Sequence, residues 1–272
     1  MDSAHLATEP GLTHRLGMRF WPALVLLLAC GRSGPLELQF DVGRYVEVPS
    51  DQGLDVSARG LTVSAWMRPD ALSLKQTEGS DATDQFVHWL GKGEPGAAEW
   101  SFRMYSQPGP RQNRISFYVF QPGVSRGCGS YFQDPLVAGQ WIHVAGTVDA
   151  AAQQTAIFRN GELRHADSYA SLRLAAGVQP LRIGTRDLRS FFQGAIRDLR
   201  VWDRPLSASE VRALFGGTAP SAGLVASFPL DEGAGDVVRD LAGGRRGRVV
   251  SGVWQPVSTA VSAGTGQSGG GC

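Results

Sequence analysis

Lysine is almost absent from the chain: Lys75 and Lys92 are the only two, and 24 arginines carry the rest of the positive charge. The 26 basic residues meet 25 acidic ones for a formal net charge of +1, and no arginine stripe runs along the sequence. A nucleic-acid partner therefore has no electrostatic footprint. Cysteine is scarce as well. Cys30, Cys128 and Cys272 share no C-x-x-C spacing, which excludes a cysteine-based structural zinc site or a thioredoxin-type pair. No apolar run approaches the roughly 20 residues that a membrane-spanning helix needs. His-Glu-x-x-His is missing, and no Gly-rich loop opens a helix in the way phosphate binding demands. What is abundant is glycine, 35 residues, with 15 prolines, in a 272-residue chain that is 42% hydrophobic. That composition favours many short strands joined by turns over long helices.

The N-terminal segment reads as an address. Ten apolar residues, FWPALVLLLA (20–29), follow His14, Arg15 and Arg19 and run directly into Cys30 and Gly31. A positive flank, a short apolar core and a small-residue exit match a secretory signal. The LLAC segment (27–30) resembles a bacterial lipobox, which implies a lipidated Cys30 as the mature N-terminus, a lipid anchor as the membrane attachment and a cell-envelope location; plain secretion is the alternative. Met18 is a second candidate start, which makes residues 1–17 an upstream extension.

From Leu36 onward apolar and polar residues alternate in short runs, the mark of strands with one buried face. LELQF (36–40), YVEV (45–48) and LTVSAWM (61–67) are of this kind, and further strands are expected at 85–90, 99–105, 114–120, 140–148, 155–159, 162–165, 181–183 and 195–202. Asn160-Gly161 predicts a type I′ hairpin, since these residues accept positive φ angles. Cys128 lies in RGCGS (126–130), which reads as a loop. One helix is predicted in LSASEVRALF (206–215): Ser207 and Glu210 have capping-box spacing, and Gly216-Gly217 ends it. A single helix among a dozen strands argues for an all-β sandwich. From 258 to 272 the chain turns to Ser, Thr, Ala and Gly, a tail unable to bury enough apolar surface to order itself.

Several segments, in this order, resemble the LamG-like jelly-roll family of the concanavalin A-like/laminin G superfamily: LQFDVG (38–43) with YVEVP (45–49), LTVSAW (61–66), QWIHVAGTVD (140–149), FRNGEL (158–163), LRIG (181–184), FQGAIRDLRVWDRPLSASEV (192–211) and GLVASFPLDEGAG (223–235). The resemblance covers one domain from 36 to about 257. It implies a two-sheet antiparallel jelly-roll sandwich with the first strand beside the strand near Val201. Trp66, Trp141 and Trp202 then read as core or sheet-edge residues and His143 as structural.

The superfamily includes glycoside hydrolases, which need two carboxylates about 5 Å apart in retaining enzymes. The spacing Glu-x-Asp-x-x-Glu is absent, and Asp231-Glu232 sit in a turn, so no catalytic residue is assigned. The expected function is a noncatalytic extracytoplasmic module that binds a glycan or an extracellular protein through loops at the sandwich rim. A structural or adhesive envelope lipoprotein is the second reading, and a divergent glycoside hydrolase the third. Trp89, Trp100, Tyr105 and Tyr131, near polar loops, are the candidate ligand-binding residues, because sugars stack on aromatic faces. The resemblance also implies a calcium site, with Asp41 and Asp198 as candidate ligands. Arg197, where relatives often carry Asp, repels a cation there.

Overall fold

The computed structural model describes residues 36–55, 60–79, 84–121, 123, 127–170 and 172–257. Its strands are β1 (Leu36–Phe40), β2 (Tyr45–Val48), β3 (Gly60–Pro69), β4 (Phe86–Glu94), β5 (Ala97–Tyr105), β6 (Ile115–Phe120), β7 (Gly127–Phe132), β8 (Ile142–Asp149), β9 (Gln154–Arg159), β10 (Glu162–Ser168), β11 (Leu181–Ile183), β12 (Gly194–Trp202), β13 (Leu224–Phe228), β14 (Val237–Arg239), β15 (Arg246–Val250) and β16 (Val253–Pro256), with helix α1 (Ala208–Phe215) between β12 and β13.

The strands form two antiparallel sheets. Sheet A has the order β10-β9-β8-β3-β12-β1-β16, with β13 also pairing β12; sheet B runs β14-β15-β2-β11-β4-β5-β6-β7. This is the two-sheet jelly roll that the alternating pattern and the family resemblance predict. β1 lies beside β12, with Gln39 opposite Ala195, and the C-terminal strands return to both sheets, β16 against β1 and β15 against β2.

Strand parity decides what each side chain meets. In β3, Leu61, Val63, Ala65 and Met67 enter the core between the sheets, which leaves Thr62, Ser64, Trp66 and Arg68 on the outer face. In β5, Trp100, Phe102 and Met104 point inward, so Arg103 points out. The core centres on aromatic rings: Trp89 and Phe102 lie 4.9 Å apart, and Phe102 and Phe117 4.7 Å. Fully burying such a side chain is worth roughly 1.5–3 kcal/mol.

A smaller apolar cluster forms on the outer face of sheet A, where Val211 and Leu214 of α1 cover Ala145, Phe158 and Trp202. The helix begins as the sequence predicts, with a complete capping box between Ser207 and Glu210. The hairpin between β9 and β10 turns at Asn160 (φ 50°) and Gly161 (φ 80°), as a type I′ turn requires.

Residues 127–132 depart from expectation, forming strand β7 and placing Cys128 in the ladder opposite Val119. The glycines there reflect close backbone approach: a Cβ on Gly129 would stand 2.0 Å from the Phe117 carbonyl oxygen. Cys30, Cys272 and the tail from 258 lie outside the described residues.

Candidate functional site

The aromatic residues expected at a binding rim are mostly interior. Trp89 and Trp100 are fully buried in the core, where packed neighbours cover both ring faces and no ligand reaches them. Tyr105 is 2% exposed, with the guanidinium groups of Arg111 and Arg114 each 5.7 Å from its ring. Tyr131 alone of the four reaches solvent, at 38% exposure, stacked between Arg114 and His165.

A larger group of aromatic rings lies on the outer face of sheet A. Arg197 of β12, Trp66 of β3 and His143 of β8 are direct cross-strand neighbours, so their side chains form one row. Trp66 is half-buried, with its ring 5.4 Å from His143 and 5.6 Å from Phe215 at the end of α1. Trp141, also half-buried, stands just before β8. The exposed Arg197 spans the two indoles, its guanidinium carbon 4.4 Å from the Trp141 centroid and 5.6 Å from that of Trp66. Arg68 lies against Trp141 at 5.3 Å. The result is a platform of two indoles, the 38%-exposed Phe215 ring and the exposed Arg197 guanidinium, with Arg68 buried at its edge.

Its polar edge is tightly organised. Arg68 donates to Glu37 at 2.5 Å and to both carboxylate oxygens of Asp70, at 2.8 and 3.2 Å; Gln39 donates to Glu37 at 2.9 Å. Both neighbouring carboxylates are therefore committed to Arg68. His143, buried beneath the platform, has its pKa pushed down to about 4, first by burial and second by the charge of Arg200. The imidazole is neutral at pH 7, consistent with the structural role its sequence setting predicts.

Beside the platform a cavity of about 380 Å³ is lined by Glu37, Arg197, Asp198, Leu230 and Asp231, among others. That volume lies in the range of small-ligand sites, about 300–1,000 Å³. Arg197 is shared between cavity and platform. The cavity forms where β12 bulges: its register to β3 shifts between Arg197 and Arg200, and Asp198 takes a positive φ of 53°.

The proposed calcium ligands are not brought together. Asp41 adjoins Gln193 just past one end of the β1–β12 pair, whereas Asp198 lies five positions further along β12, on the order of 15 Å away. Asp41 Oδ1 accepts from Gln193 at 3.2 Å and from the Val42 amide, with Lys75 3.8 Å away. Asp198 pairs with Arg200 at 2.9 Å, and burial pushes its carboxyl up. Each carboxylate already faces a basic side chain. Arg197 lies against the indoles instead of facing either carboxylate.

The sequence itself carries a signal for Trp66. Trp66 occupies a polar-parity position of an alternating strand, and such a residue faces outward whatever its type.

The concanavalin A-like lectin/glucanases family model matches residues 40–212. No curated protein sequence matches the chain. Among solved structures, a candidate carbohydrate-binding protein from Bacteroides ovatus superposes with a TM-score of 0.58 at 17% identity, over 83% of this chain and 61% of that one. The heptameric SAP-like pentraxin of Limulus polyphemus gives 0.51 at 15% identity over 79% and 94%. The binding domain of botulinum neurotoxin DC, solved in complex with rat synaptotagmin II, gives 0.50 at 13% identity over 77% and 50%. At these identities the likeness is one of fold, and the chain spans about three fifths of the length of the Bacteroides protein. Since the family model spans more than half of the sequence and the observed sandwich agrees with it, this chain belongs to the concanavalin A-like lectin/glucanases superfamily.

Proposed function

We propose that the chain is a noncatalytic recognition module that binds a glycan on the outer face of sheet A. The observation that carries this reading is the Trp66–Arg197–Trp141 group, two partly buried indoles joined by an exposed guanidinium beside a 380 Å³ cavity. Indole faces take the C–H face of a sugar ring, while the exposed Arg197 and Asp70 supply a donor and an acceptor for hydroxyls at the edge. The noncatalytic reading draws support from the ion pairing of carboxylates around the platform and cavity: Glu37 and Asp70 are tied to Arg68, and Asp198 to Arg200. The carbohydrate-binding and receptor-binding descriptions of the fold neighbours favour a binding role by analogy.

The test is a glycan array probed with the full chain and with Trp66→Ala/Trp141→Ala. Saturable binding by the first and none by the second, with equal thermal stability, supports the reading. Capture of a protein partner without any glycan signal would replace it.

We also propose that the module works outside the cytoplasm, attached through a lipid on Cys30. The support is the lipobox-like segment LLAC (27–30), which lies outside the described residues. Incorporation of a labelled lipid precursor that disappears in Cys30→Ala is the expected result; equal labelling of both would remove the anchor.

A further inference from the structure

Sheet B carries a polar cluster that the platform does not use. Glu78, in a short bridge to Phe86 ahead of β4, His88 of β4 and Asp187 of the β11–β12 connection each place one ligand-capable atom within 4.8 Å of the others. Asp187 is distant in sequence from the other two, and the fold brings it to them.

His88 is the unusual member. Its side chain is fully buried, yet neither ring nitrogen has a hydrogen-bond partner. A buried polar side chain left without any partner is rare and asks for an explanation. Its Nε2 stands 3.5 Å from Glu78 Oε1 without forming a hydrogen bond. That spacing instead suits two ligands of one ion, because bonds of about 2.1 Å in a tetrahedral shell separate ligand atoms by about 3.4 Å.

The surroundings hold the carboxylates in place. The Ser190 hydroxyl accepts from the His88 amide at 3.1 Å and donates to Glu78 Oε1 at 2.9 Å. Arg186 grips Asp187 Oδ2 at 2.5 Å, and the Arg189 amide reaches Oδ1 at 3.4 Å. The Glu78 side chain keeps 22% of its surface exposed, which opens the cluster to solvent.

We propose that Glu78, His88 and Asp187 form a binding site for a zinc-class divalent ion, one nitrogen and two oxygens with the remaining position open to water. An imidazole donor favours zinc and cobalt over calcium and magnesium, whose shells are built from oxygen. Two carboxylates offset the charge of the ion, while the guanidinium of Arg186, bound to Asp187, fixes that carboxylate from the side and adds one positive charge next to it.

The full-length, untagged chain, stripped with a chelator, is titrated with Co(II) while visible ligand-field absorption is followed, and Zn(II) is then added in competition. The expected result is one Co(II) per chain, displaced by Zn(II) and not by Ca(II). Glu78→Gln, at a position that reaches solvent, is expected to weaken binding by more than about tenfold. His88→Asn is expected to abolish it, and His165→Ala, which removes an exposed histidine on β10, to leave it unchanged. Absence of Co(II) and Zn(II) binding, binding of equal strength in Glu78→Gln, loss in His165→Ala, or displacement by Ca(II) would each overturn the site. Because these readouts involve no glycan, they stand or fall independently of the platform.

Discussion

His143 provides a quantitative test of the platform's foundation. It is 2% exposed, packed against the rings of Trp66 and Phe215, and its Nδ1 has no hydrogen-bond partner. Protonating it in the folded chain would bury a charge near Arg200, and its pKa falls to about 4. In the unfolded chain the imidazole titrates near its ordinary value of about 6.5. Between those values the unfolded state holds a proton that the folded state does not, so this contribution is complete above about pH 6.5 and is lost as the pH falls. At roughly 1.4 kcal/mol per pH unit the whole interval is worth about 3 kcal/mol, of which about 2 kcal/mol is gone by pH 5. Other groups titrate in the same range, so the quantity to measure is a difference. His143→Leu keeps a similar volume, removes the orphaned Nδ1 and is expected to change stability by less than about 1.5 kcal/mol at pH 7.5. Urea denaturation followed by circular dichroism from pH 7.5 to 4.5 then compares the two proteins. The variant is expected to gain about 2 kcal/mol on the wild type between pH 7 and pH 5. Parallel pH profiles would refute the argument, since they would mean that the folded imidazole titrates as freely as the unfolded one and does not lie sealed beneath Trp66.

Two further substitutions test the interior. Lys92, one of only two lysines, is fully buried and contacts Glu99, Asp55 at 2.6 Å and the Gly177 carbonyl at 2.9 Å. Lys92→Met leaves two carboxylates facing each other and is expected to cost about 3–5 kcal/mol in urea denaturation; a loss below 1 kcal/mol would show that solvent reaches the group, by the order of magnitude of exposed pairs. Ser207→Ala breaks the capping box of α1, with an expected loss of about 1 kcal/mol. Glu210 contributes its share of that box down to strongly acid pH, because Arg204 and the Ser207 amide hold its carboxyl down to about 2.

Much of this architecture is legible in the sequence because period-two alternation is a local property. LTVSAWM (61–67) announces both the strand and the inward set Leu61, Val63, Ala65 and Met67. The same parity explains the displaced site. Trp100 shares its side of β5 with Phe102 and Met104 and is buried, whereas Trp66 shares its side of β3 with Thr62, Ser64 and Arg68 and surfaces. Proximity to polar loops, which pointed to Trp89 and Trp100, carries no such information. Tyr105 stays covered although it sits on the outward parity of β5, because the loop arginines Arg111 and Arg114 fold over it.

Other features depend on contacts between distant segments. The bulge at Asp198 shifts the register of β12 midway, so no alternation count through the strand can place Asp198 relative to Asp41. The glycines at 127 and 129 resemble loop residues in composition and become strand residues because β6 approaches closely. The Glu78–His88–Asp187 cluster follows no metal-binding motif in the sequence, since Asp187 reaches it from a segment about a hundred residues away.

The most direct measurement of the central claim is site-resolved oxidation of the tryptophans in the native chain, with and without a saturating glycan identified on the array. Trp66 and Trp141, which are only partly buried, are expected to react and to be protected by the glycan, while Trp89, Trp100 and Trp202, fully buried, stay unmodified in both conditions. Unchanged reactivity of Trp66 and Trp141 at saturation would contradict the account and place the ligand on another surface.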